Sequence, residues 1–281
     1  MSSMNNAKYR LILPIQAKGN VGKSIEAAAR ACWLNQRGIT WQGFDLDGDN
    51  KTLSRLFPGQ AKLVPLTGQE DDQDELMSIL HKSTAAPVTL VDPRAHLDVQ
   101  LLAAIRATHF FENAAAQNIG TTIMVFPLDD LDVMTNLDSV CLYCGNQVED
   151  VIVRNPARAP KTRMFNGSEL EKDLLSRGAA CLTIPRLSEF VKLRLAKLEK
   201  DHIRGIAFNE AIGNDELRLD PMARGALQDW LGTMFSQYDR IAAKLLPAAE
   251  AAALKPKGPP PISHPPAAVR GARVVLPGSQ G

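Results

Sequence analysis

The chain is poor in cysteine. Four in 281 residues, at irregular spacings, cannot make a disulfide framework and fit a reducing compartment. It has no long hydrophobic run. No stretch approaches the roughly 20 consecutive apolar residues that cross a bilayer, and the opening MSSMNNAKYRLILPI lacks the apolar core and small-residue cleavage site of a signal peptide. A soluble, cytoplasmic protein without membrane attachment is expected. It lacks charge of one sign: 32 basic and 31 acidic side chains leave a net +1, so any nucleic-acid contact must come from a local patch. The five histidines (His81, His96, His109, His202 and His264) show no ligand spacing, and no internal repeat is present.

With 45% apolar and 22% charged residues, the chain can build a sizeable core. Residues 9–15 (YRLILPI) are a short apolar run that ends at a glycine-containing loop. An Ala-rich helix is expected over 23–37, stopped by Gly38. Strand patterns then recur at 39–44, 87–92, 121–126, 149–155 and 179–184, with helical patterns between them, notably at 70–82 and 95–107. About six strands alternating with helices predict a doubly wound, mainly parallel α/β sheet covered on both faces. A final amphipathic helix is expected over 220–246, where Leu227, Trp230, Leu231, Met234, Phe235 and Tyr238 recur at helical spacing. That stripe suits either its own domain or a partner. The domain is placed at 1–247 and a disordered tail at 248–281, because 255–281 alone holds seven of the 18 prolines and four of the 19 glycines.

Between the first strand and first helix stands Ala17-Lys18-Gly19-Asn20-Val21-Gly22-Lys23-Ser24. Nucleoside triphosphates concentrate negative charge, and a loop of inward-facing backbone N–H groups at a helix N-terminus answers it. Gly19 and Gly22 allow close approach, Lys23 can reach the β- and γ-phosphates, and Ser24 offers a hydroxyl to Mg²⁺. The strict pattern GxxxxGK[ST] departs at Ala17, and the strand–loop–helix context it requires is present.

Lys18 to Ser24 resembles the deviant Walker A loop of the ParA/MinD family of P-loop NTPases, with Asn20 where a second glycine is usual. The resemblance covers roughly residues 8–205. It implies ATP and Mg²⁺ as cofactors, slow ATP hydrolysis, an ATP-dependent homodimer and a partner protein that stimulates turnover. It makes Lys18 the signature lysine that crosses to the partner subunit's phosphates. FDLDGDNKT (44–52) is similar to the family's first switch, where Asp47 would orient the attacking water or serve Mg²⁺, with Asp45 in support. Asp92, in VTLVDPRAH, looks like the Walker B carboxylate that holds Mg²⁺ through water, followed by an atypical Pro93-Arg94-Ala95-His96. Asn155 and Pro185 occupy positions where the family contacts adenine. The acidic helix before 87–92 and the NPAR ending of 149–158 look like the plasmid stability and conjugal-transfer branch.

Two further features have plainer readings beside functional ones. Cys141 and Cys144 form a CxxC at helical spacing, which suits two core thiols as well as a metal or cluster site. Segment 186–204 carries a local net of +3, and nonspecific DNA and a solvated helix face both fit it. Other functions on this scaffold are an ATP-dependent ligase of the dethiobiotin-synthetase kind and a non-hydrolysing nucleotide-binding adaptor.

Overall fold

The computed structural model describes residues 7–15, 18–64, 66, 72–94 and 98–254, with backbone only at 98–100. β1 (Tyr9–Ile15) leads into α1 (Lys23–Arg37), followed by β2 (Trp41–Asp45), α2 (Thr52–Leu56), β3 (Ala61–Leu63), α3 (Asp72–Lys82) and β4 (Val88–Asp92). Next come α4 (Asp98–Ala107), α5 (Phe110–Ala116), β5 (Ile119–Val125), α6 (Leu131–Cys144), β6 (Glu149–Arg154), α7 (Glu169–Ser176) and β7 (Ala180–Thr183). The chain continues through α8 (Glu189–His202), α9 (Phe208–Gly213), α10 (Pro221–Arg240), α11 (Ala242–Leu245) and α12 (Ala248–Ala253).

One seven-stranded sheet of order β3-β2-β4-β1-β5-β6-β7 results. Every strand pair is parallel. This is a doubly wound α/β fold with seven strands rather than six. β3 escaped the periodicity because three residues are too few to show a period of two. Alternation along β1 explains its continuous apolar run: Leu11, Leu13 and Ile15 enter the core under α3–α7, while Ile12 enters the core under α1 and α8–α11. Both faces are covered, as an all-parallel sheet requires.

α1 lies close to the sheet because Ala27, Ala28, Ala29 and Ala31 present little bulk and are fully buried. It ends at Gly38, whose φ of 67° lets its N–H reach the Asn35 and Leu34 carbonyls. α10 packs along it. The Trp33 and Tyr238 rings meet at a tilt of 43° with centroids 5.4 Å apart, and Trp33 Nε1 donates to Asp239 Oδ1 at 2.9 Å. The Tyr238 hydroxyl donates to the Glu26 carboxylate at 3.0 Å, which also accepts from Arg30 at 2.9 Å. Burial pushes the Glu26 carboxyl upwards, against Arg30 and Tyr238.

The stripe over 220–246 therefore serves its own domain. It is two helices broken at Ile241, not one. Residues 248–253, placed in the tail from the sequence, form α12, while 255–281 lie outside the described residues. Cys141 and Cys144 are buried in the core under α6, where burial pushes the Cys141 thiol up to about 12 and Cys144 higher still. They pack as core side chains. Among the described residues, no three His, Cys, Asp or Glu side chains group as a metal site, and no helix is long and apolar enough to cross a membrane.

Candidate nucleotide site

The carboxyl ends of β1, β2, β4, β6 and β7 open on a cavity of about 640 Å³. Open parallel sheets place their ligands at this edge, where crossovers leave in opposite directions. Gly19, Asn20, Gly22, Lys23 and Ser24 line it together with Asp47, Asn155 and Pro185. Of the residues singled out from sequence, Lys18, Val21, Asp45 and Asp92 are not on that lining; Val21 bonds to Asn155 and Asp92 to Ser24, which are, and Lys18 adjoins Gly19 in the loop. Ala17 lies outside the described residues.

The loop's backbone explains its residue types. Asn20 has φ 64° and Gly22 φ 110°. Asparagine tolerates the left-handed region better than most side chains, so it suits this position of the loop. Gly22 has a second constraint: a Cβ there would lie 2.4 Å from Asn155 Nδ2. The Asn155 amide donates to the Val21 carbonyl at 2.8 Å, and its buried Oδ1 has no partner among the described residues. Asn155 thus braces the loop from β6. The Pro185 carbonyl accepts from Trp230 Nε1 at 2.7 Å, fixing the segment after β7 on α10. Ile184, Leu187, Leu195 and Phe208 add an apolar wall on that side of the cavity.

Two carboxylates sit at register-paired strand ends, Asp45 on β2 and Asp92 on β4. Asp45 is fully used: its oxygens accept from the Asp47 N–H at 3.1 Å and from the Ser54 N–H and hydroxyl, each at 2.9 Å. Asp92 accepts from the Ser24 hydroxyl at 3.3 Å through Oδ1, while buried Oδ2 has no partner among the described residues. Burial first, then the neighbouring Asp45, pushes the Asp92 carboxyl up to about 7 against the pull of Ser24 and Lys23. An open oxygen on a buried carboxylate beside a hydroxyl suits a hard divalent cation, which takes oxygen ligands and supplies the missing positive charge.

Asp47 closes a tight turn, accepting from the Asp49 and Asn50 N–H groups at 3.0 Å and the Asn50 amide at 2.8 Å. Partial burial pushes its carboxyl up, yet these hydrogen bonds and nearby Arg94 hold it below the usual range. Arg94 reaches Asp49 at 3.1 Å and links the segments after β2 and β4. Residues 95–97 lie outside the described residues. Lys18, half exposed, pairs with Asp130, which also caps α6 by accepting from the Val133 N–H at 3.1 Å.

Sequence reasoning missed Asp130, Arg55, Arg158 and Phe208. Asp130 was visible as a capping residue at a helix start, but nothing local assigns it to Lys18. The other three reach the cavity only through the packing of α2, α9 and the β6–α7 connection.

No protein-family model and no curated protein sequence matches the chain. Solved structures similar to it include MinD proteins. The septum site-determining protein MinD complexed with Mg-ADP from Pyrococcus horikoshii is 15% identical with a TM-score of 0.44, covering 83% of this chain and 97% of its own. The Pyrococcus furiosus cell division ATPase MinD is 12% identical with a TM-score of 0.44, covering 83% and 99%. The MinD cell division protein of Aquifex aeolicus is 14% identical with a TM-score of 0.40, covering 80% and 97%.

Proposed function

We propose that the chain binds ATP with Mg²⁺ and hydrolyses it slowly, as a homodimeric switch of the ParA/MinD type used in plasmid partition, plasmid stability or conjugative transfer. The observation that carries this reading is the convergence, in one cavity, of a left-handed glycine loop at a helix N-terminus with Lys23, Ser24 and Asp47, and with the open oxygen of Asp92 behind Ser24. Loop N–H groups and the α1 N-terminus answer phosphate charge, and Lys23 extends that to the terminal phosphates. Ser24 and Asp92 would hold Mg²⁺, which neutralises charge on the phosphates. Asp47, kept ionised by its turn, accepts from and orients an attacking water. Asn155 and Pro185 bound the base end.

Lys18 would serve across the dimer, which requires its pairing with Asp130 to open. A partner that stimulates hydrolysis has a natural point of action there. Nonspecific DNA draws less support from α8, because Lys192, Lys197 and Arg204 of segment 186–204 already pair with Glu189, Asp201 and Glu210.

Lys23→Ala tests the reading directly. ATP affinity measured by calorimetry should fall at least about a hundredfold, consistent with loss of a charge-assisted contact in a desolvated site. Wild-type affinity in that variant, or no binding by the wild type, would end this reading. Sizing in ADP and ATP, with Lys18→Ala as comparison, tests the dimer.

A further inference from the structure

We infer that the connection between β6 and α7 encloses a second anion site, built for a phosphate group and separate from the phosphate loop. From Val151 to Ser168 the sequence contains no carboxylate and four cations, Arg154, Arg158, Lys161 and Arg163. Three of the four, Arg154, Lys161 and Arg163, line a cavity of about 370 Å³ together with Thr162 and Asn166, and no carboxylate lines it among the described residues.

This cavity is constructed, not a gathering of loose side chains. Arg154, at the end of β6, donates to Thr162 Oγ1 at 3.2 Å and Asn166 Oδ1 at 2.7 Å, and pairs with Glu171 at 2.6 Å. Its guanidinium also lies 5.6 Å from the centre of the buried Phe165 ring. Glu171 accepts from the Gly167 N–H at 2.6 Å, which closes the connection onto α7. Pro156 and Pro160 restrict the backbone between. A loop held this firmly loses little freedom when it takes a ligand.

The cations of α8 make the contrast. Lys192 and Lys197 have carboxylate partners, whereas Lys161 and Arg163 are exposed and have no ion-pair partner among the described residues. Two exposed cations lining one cleft, without an ion-pair partner among the described residues, suit a group that carries about two negative charges and several acceptor oxygens, as a phosphomonoester does. The cleft exceeds a bare phosphate and admits part of its carrier. It also shares a wall with the larger cavity. Asn155 and Arg158 face the 640 Å³ cavity, while Arg154, Pro156 and Ala159 face the smaller one.

Phosphorylated small molecules and the phosphodiesters of a nucleic-acid strand share this chemistry, so the experiment has arms for both. Pyrophosphate is titrated calorimetrically into the full chain carrying Lys23→Ala, and into wild type saturated with Mg-ADP, so that the phosphate loop does not compete. One pyrophosphate should bind per chain, and Lys161→Glu with Arg163→Glu should weaken it at least about tenfold, the loss of a charge-assisted contact. Lys197→Glu on α8 should leave it unchanged. Displacement by a short oligonucleotide, steeply weakened by salt, identifies phosphodiesters as the source; displacement by small phosphates alone identifies a metabolite. No saturable binding in either protein, or equal affinity in the doubly reversed variant, overturns the site. Both substituted residues are exposed, so circular dichroism should show an unaltered fold. Because the Lys23→Ala arm works without the phosphate loop, its outcome is independent of ATP binding.

Discussion

β2 and β4 end side by side, each in a buried aspartate, and the two differ in every respect that matters for function. Asp45 has three donors and holds the start of the Asp47 turn and of α2 in place. Asp92 has one weak donor and an oxygen with no partner among the described residues. The first completes its hydrogen bonds among the described residues; the second keeps an acceptor open among them, the one that the proposed function assigns to the cation. Burial alone does not separate a structural carboxylate from a functional one. The fate of each lone pair does.

Breaking the Asp45 side should have the largest effect. Asp45→Ala removes a buried carboxylate and strands the Ser54 and Asp47 N–H groups, which should cost about 3 kcal/mol of stability. Urea unfolding measures it, and a loss under about 1 kcal/mol would mean that Asp45 is no buttress.

Asp92→Asn should do the reverse. With the folded-state value at about 7 and the unfolded one near 4, wild-type Asp92 holds its proton in the fold when the unfolded chain has lost it. Its stabilising contribution is therefore fully present below pH 4 and is lost as pH rises to about 7. Without divalent cation at pH 8, the asparagine variant should be more stable than wild type by a few kcal/mol, a difference that vanishes near pH 4. ATP turnover in the same variant should fall about a hundredfold. A variant destabilised at both pH values would place Asp92 with Asp45.

Mg²⁺ sharpens the contrast further. At pH 8 it should raise the wild-type melting temperature by a few degrees at about a hundred times its dissociation constant, and leave Asp92→Asn unmoved. The smallest effect belongs to Ser24→Ala, which should weaken the Mg²⁺ response about fivefold, or about 1 kcal/mol, without altering stability at pH 4. An Asp45 variant that folds should keep its Mg²⁺ response. If it loses it, the two strand ends form one site.

Much of this was legible in the sequence because it is local. A glycine loop between an apolar run and a helix announces itself, and so do carboxylates that end apolar strands. The buried helix α1 was legible from its alanines and from Gly38. What stayed hidden depends on distance along the chain. Asp130, after β5, meets Lys18, after the neighbouring β1, Asn155 meets Val21 from the end of β6, and Arg154 organises a cavity with partners up to Glu171. None of these pairings leaves a periodic trace. Short elements hide for a different reason: β3 has three residues and α2 five, less than the window in which either period can be recognised. The amphipathic stripe of α10 was visible, but a stripe does not say what it faces; Trp33, Tyr238 and Asp239 answer that only in three dimensions.

The order of the strands also bears on how the chain reaches this state. β1 precedes its sheet partners in sequence yet lies at the centre, where Arg10 pairs with Val88 on one side and Tyr9 with Ile119 on the other. During synthesis it must therefore wait, apolar on both faces, until β4 and β5 have emerged. Such distant pairings are slow to form because loop closure precedes the contacts that reward it. Until they do, its unpaired edges and apolar faces are the aggregation-prone surface of the growing chain.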